Sequence, residues 1–60
     1  MSIEIIKRNG DNSLIAIVVK KTCYTDIDNT LYWETMALKS KGLKIIAVED
    51  LEKKLKDLKK

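Results

Sequence analysis

Six consecutive aliphatic residues, Leu14–Val19, constrain this chain more than any other stretch. The run is rich in β-branched side chains, which suit an extended strand, and it is far too short to cross a bilayer as a helix. Read as a regular strand, it sends Leu14, Ala16 and Val18 to one side and Ile15, Ile17 and Val19 to the other. Both sides are apolar, so both need cover. The chain has 60 residues with which to provide it, and a domain of that size buries about 60% of the surface its unfolded chain exposes. Its own C-terminal segment can cover one side. The sequence therefore predicts a homo-oligomer, most simply a dimer, in which a second copy covers the face of Ile15, Ile17 and Val19 or packs along Leu51, Leu55 and Leu58.

The other ways of stabilising so small a domain are closed by composition. Cys23 is the single cysteine and histidine is absent, so neither an internal disulfide nor a Cys/His zinc site can be assembled. No metal and no cofactor is implied. A lone thiol suits a reducing compartment, and residues 1–7 lack a positive segment followed by an apolar stretch. The expectation is a cytoplasmic protein without a signal peptide or a membrane span.

The pattern along the chain predicts an α+β fold in a single domain spanning 1–60. A small antiparallel sheet would consist of an N-terminal β-hairpin and one or two further strands, with a C-terminal amphipathic helix packed on it. The hairpin occupies 3–21, turning at Asn9-Gly10, whose residue types suit positive φ angles. A polar connector follows over 22–30. Residues 31–48 are strand-like, since Leu31, Trp33, Thr35 and Ala37 alternate with Tyr32, Glu34, Met36 and Leu38, and Tyr, Trp and Thr favour strands. The same residues also fit a short helix capped by Thr30, with a face of Leu31, Thr35 and Leu38. From 49 to 60 the period is helical, with Val48, Leu51, Leu55 and Leu58 at spacings of three and four. Glu49, Asp50 and Glu52 in the first turn and Lys56, Lys59 and Lys60 in the last complement the helix dipole. Glu49 with Lys53 and Glu52 with Lys56 have the spacing of supporting ion pairs.

One stretch carries a pattern of catalytic chemistry. Asp26-Ile27-Asp28-Asn29-Thr30-Leu31 resembles the first signature of the haloacid dehalogenase-like phosphatases. The resemblance implies Asp26 as a nucleophile toward phosphorus, Asp28 as acid/base, Thr30 as loop support, and magnesium held by the carboxylates. It covers six residues. The family also needs a hydrophobic strand leading into the first aspartate, a distant lysine and more acidic residues on a larger sheet, whereas Lys20-Lys21-Thr22-Cys23-Tyr24-Thr25 stands before Asp26. The reading taken from the residues is a turn-rich connector whose Asp and Asn side chains bond backbone. A calcium loop starting at Asp26 fails as well, because its sixth and twelfth positions are Leu31 and Ala37 instead of glycine and glutamate. No catalytic residue is assigned, and the chain is read as a non-enzyme.

Binding remains. Tyr24, Tyr32 and Trp33 are all the aromatic residues, and they are the expected anchors of a partner-binding surface. The expected function is a small non-catalytic protein-binding module, a homo-oligomeric inhibitor or regulator of a larger host or target protein, of the sort carried by phages and mobile elements. The alternative is a weak, sequence-independent nucleic-acid binder. Its net charge of +3 and its lysine clusters, Lys53, Lys54 and Lys56 foremost, would meet phosphates, while Arg8 alone offers a guanidinium fork for reading bases.

Overall fold

A computed structural model describes residues 3–59. It shows a small α+β fold in which a four-stranded mixed sheet carries one helix on each face. The strands are β1 (Ile5–Arg8), β2 (Leu14–Val19), β3 (Thr22–Thr25) and β4 (Lys44–Ala47), in that spatial order. Helix α1 (Thr30–Ser40) joins β3 to β4 after a 3-10 turn at Ile27–Asn29, and α2 (Leu51–Leu58) ends the chain's regular structure.

The first hairpin is the one the sequence predicts, with its turn chemistry shifted. Asn12 N–H donates to Asn9 O at 2.9 Å and Asn9 N–H to Ser13 O at 2.9 Å, and the positive φ, 72°, is at Asn12 and not at Gly10. This is the three-residue loop in which a left-handed residue follows a tight turn. Asp11 locks it by accepting from Ser13 N–H at 3.1 Å and from Ser13 Oγ at 2.6 Å.

The expected connector over 22–30 is corrected by a second hairpin. Lys20 and Lys21, at φ 48° and 67°, make a two-residue turn, and Thr22–Thr25 returns antiparallel to β2 as β3. Two left-handed residues in succession match the right-handed twist of the flanking strands. Lysine pays for that geometry in backbone strain, and the Lys20 N–H donation to Glu4 Oε1 at 3.1 Å helps to hold it.

Two further expectations are corrected by residues 30–40. They form a helix rather than a strand, so β4 arrives by a crossover and pairs parallel to β3, with Cys23 opposite Ile45 and Tyr24 opposite Ile46. The sheet is mixed and not purely antiparallel. The same helix gives β2 its second cover, so both faces are closed within one copy, and Ile17 and Val19, assigned from sequence to a second subunit, lie under α2. On one face Leu14, Ile17 and Val19 pack with Leu51 and Leu55 of α2, joined by Ile3, Tyr24, Val48 and Leu58. On the other, Ala16, Val18 and Cys23 pack with Trp33 of α1, joined by Ile15, Leu43 and Ile45.

Simple alternation had placed Leu14 with Ala16 and Ile15 with Ile17. A β-bulge exchanges them. Lys7 pairs with Ala16 and Arg8 with Leu14, leaving Ile15 as the extra residue, so Leu14 turns to the α2 side and Ile15 to the α1 side. Thr25, fully buried, donates its hydroxyl to Ile15 O at 2.9 Å, which satisfies a polar group at the point where the ladder is disrupted.

Helix α2 runs from Leu51 to Leu58, shorter than the expected 49–60, with Asp50 at its N-cap; Lys60 lies outside the described residues. Glu52 pairs with Arg8 across the gap to β1 at 3.4 Å, the single ion pair among the described residues, and not with Lys56. Both groups are solvated, so the pair contributes little.

Candidate protein-docking face

The residues proposed from sequence for self-association belong to the interior of one copy. Ile17, Val19, Leu51 and Leu55 are buried, and Ile15 and Leu58 are half-buried against the two clusters. They close the core and leave no uncovered face on β2. The three aromatics are likewise not one surface. Tyr24 sits on the α2 side beneath Lys54, whose Nζ lies 4.9 Å from the ring centroid. Trp33 is buried on the α1 side, its Nε1 without an acceptor. Only Tyr32 is largely exposed, edge-on to Trp33 at 5.2 Å between centroids.

Uncovered apolar surface lies in two other places: Ile5 and Ile6 of edge strand β1 are exposed, and a larger set lies on and beside α1. Ile27, Leu31, Tyr32, Met36 and Leu38 are all exposed, Leu31 at 75% and Leu38 at 79% of their full area. Residues advance about 100° each around an α-helix, so Leu31, Thr35 and Leu38 lie opposite Trp33, the residue that fastens α1 to the sheet. Glu34 flanks this stripe on one side, and Tyr32 and Lys39 flank it on the other; Ile27 lies before the helix, in the 3-10 turn. Thr35, also exposed, donates its hydroxyl to Leu31 O at 3.0 Å, so its one side-chain donor is already used within the helix. The helical alternative for 30–40 had located Leu31, Thr35 and Leu38. Ile27 and Met36 carried no signal in the sequence because their exposure follows from where the sheet lies.

Lysines meet at one end of the sheet. Lys44 N–H donates to Lys21 O at 2.8 Å, which brings the turn of Lys20 and Lys21 beside Lys44, and Lys41 faces Lys21 across a cleft at the same end. A shallow cleft of about 160 Å³ lies there, lined by Lys21, Ser40, Lys41, Gly42 and Leu43. The lysines singled out on α2 are not equivalent: Lys53 and Lys56 are exposed, whereas Lys54 is half-buried over Tyr24.

The Asp26 to Leu31 motif also changes context. A strand does lead into Asp26, since β3 ends at Thr25 next to parallel β4. The Asp26 carbonyl accepts from Asn29 N–H at 3.0 Å and from Thr30 Oγ1 at 2.9 Å, closing the turn into α1. Asp28 is exposed within the 3-10 turn, and no three His, Cys, Asp or Glu side chains converge to hold a metal among the described residues.

No protein-family model matches the chain, and neither a curated protein nor a solved structure matches it. No helix among the described residues is long and apolar enough to cross a membrane. The remaining reactive group is sealed: Cys23 is fully buried, and that burial pushes its thiol up to about 11.

Proposed function

We propose that this chain is a non-catalytic protein-binding module, a small homo-oligomeric inhibitor or regulator, and that the outer face of α1 is its protein-docking surface. The observation that carries the reading is the exposure of Leu31 and Leu38 on a helix whose inner face is already anchored. Burying a leucine fully is worth about 1.5–3 kcal/mol, and contiguous exposed apolar side chains rimmed by charge mark interaction sites. The test is capture of a stoichiometric protein that resists high salt and nuclease, compared with the Leu31→Ser, Leu38→Ser double variant. Capture that persists in the double variant removes the α1 face from the reading.

A second reading rests on the convergence of Lys21, Lys41 and Lys44, with Lys20 adjoining in the turn. Such a cluster attracts a phosphate backbone without reading its sequence, and the attraction falls steeply with salt. Oligonucleotide binding that vanishes on changing Lys21, Lys41 and Lys44 together, and survives in the Lys53, Lys54, Lys56 triple variant, would place nucleic acid at this end.

A further inference from the structure

Resting on the docking reading just given, we propose that the occupant of the α1 face is a second copy of this chain, with the two α1 helices parallel about a two-fold axis. Leu31, Thr35 and Leu38 then meet their own counterparts. Their spacing of four and three residues is the seam of a parallel helix pair, in which each apolar side chain fits between those of the facing helix.

The flanking residues select the second copy and its direction. In a parallel pair, a residue on one flank meets the residue five positions later on the facing helix. Glu34 therefore meets Lys39 of the partner subunit, twice by symmetry. Charge faces charge of opposite sign. In an antiparallel pair Glu34 would instead confront its own counterpart near the two-fold axis. Neither Glu34 nor Lys39 takes part in an ion pair within one copy among the described residues, so both are available. Thr35 enters the seam with its hydroxyl already donated to Leu31 O, which removes the desolvation penalty a bare hydroxyl would bring. The sheet lies behind α1, on the side of Trp33, so it does not obstruct the approach.

The contact is short. An eleven-residue helix is about 16 Å long, and its face falls below the roughly 800 Å² per partner of a standard stable interface. The association is accordingly expected at micromolar concentration rather than below it.

Sedimentation equilibrium over a range of concentrations should show the mass rising from one chain toward two, and Leu31→Ser with Leu38→Ser should abolish the rise while circular dichroism stays unchanged. Register is read by oxidation. Leu31→Cys chains should link to one another, as should Leu38→Cys chains, while a mixture of the two should give few mixed links; predominance of mixed links would mean an antiparallel pair and overturn the proposal. Cys23, being buried, stays silent in this assay. Glu34→Lys should weaken the dimer about tenfold, and adding Lys39→Glu to it should restore affinity. A chain that remains monomeric yet loses a captured protein on Leu31→Ser and Leu38→Ser overturns the second copy and leaves the docking reading standing. A monomer whose capture ignores those substitutions overturns both.

Discussion

Helices α1 and α2 pack on opposite faces of one sheet, and they differ in what they leave over. α2 buries Leu51 and Leu55, half-buries Leu58, and presents Glu52, Lys53, Lys56 and Asp57 to solvent. Every large apolar residue it has is used. α1 fastens to the sheet by one deeply buried side chain, Trp33, and leaves Leu31, Tyr32, Met36 and Leu38 outside. The polar outer face of α2 is what a helix looks like when its role ends at the core. The apolar outer face of α1 is a remainder that folding does not explain, and that is the ground for placing function there.

The comparison breaks most visibly under truncation. Leu55→Ala should lower the free energy of unfolding by about 2–5 kcal/mol, because it opens a cavity in a closed cluster, while Leu31→Ala should change it by no more than about 0.5 kcal/mol. Urea denaturation at dilute concentration measures both; equal losses would mean that α1's outer face is structural. The sheet between the helices offers a control on neither of them. Thr25→Val keeps the shape and leaves Ile15 O without its donor, for a loss of about 1–3 kcal/mol, again by urea denaturation.

These differences explain what the sequence could and could not reveal. β2 was legible because six aliphatic residues in a row have few alternatives, and α2 because its apolar stripe contrasts with charge. α1 has no such contrast: with apolar residues on every side, Leu31 to Leu38 fits an alternating strand as well as a helix. β3 was hidden because Thr22-Cys23-Tyr24-Thr25 is short and polar, and because Lys20-Lys21 reaches left-handed φ without the Gly or Asn that normally signals it. The candidate site shared α1's fate. Its stripe was visible only in the helical alternative, and the second subunit was assigned to side chains that the chain's own helices cover, Ile17 and Val19 under α2 and Ile15 on the α1 side.

Smaller effects sharpen the contrast. Lys20→Asn with Lys21→Gly should stabilise the fold by about 1–2 kcal/mol by relieving left-handed strain, seen as a higher melting temperature; a lower one would mean that the lysine side chains hold the turn. On α2, Lys54→Ala should lose about 0.5–1 kcal/mol through its contact with Tyr24, whereas Lys53→Ala should be neutral in the same denaturation series. If the two behave alike, the polar face of α2 is uniform. The smallest effect lies in the β1–β2 loop, remote from the outer face of α1. The Ser13 hydroxyl and amide hold the Asp11 carboxyl below its ordinary value of 3.8. A depressed folded value means that the contribution is complete above the unfolded value and fades as pH falls through the folded one. Asp11→Asn should therefore lower the melting temperature slightly near neutral pH, and the gap to the parent chain should close in strong acid.

The position of Cys23 gives the molecule a built-in clock. The thiolate is the species that reacts with alkylating agents, and a thiol sealed at the centre of the sheet with its value raised to about 11 presents almost none of it. Labelling must wait for the sheet to open. With a fast reagent, the rate at which Cys23 is modified reports how often β3 separates from its neighbours, without any added probe. Pairing of α1 with a second copy would slow that rate as protein concentration rises, so one natural sulfur atom reads both opening and assembly.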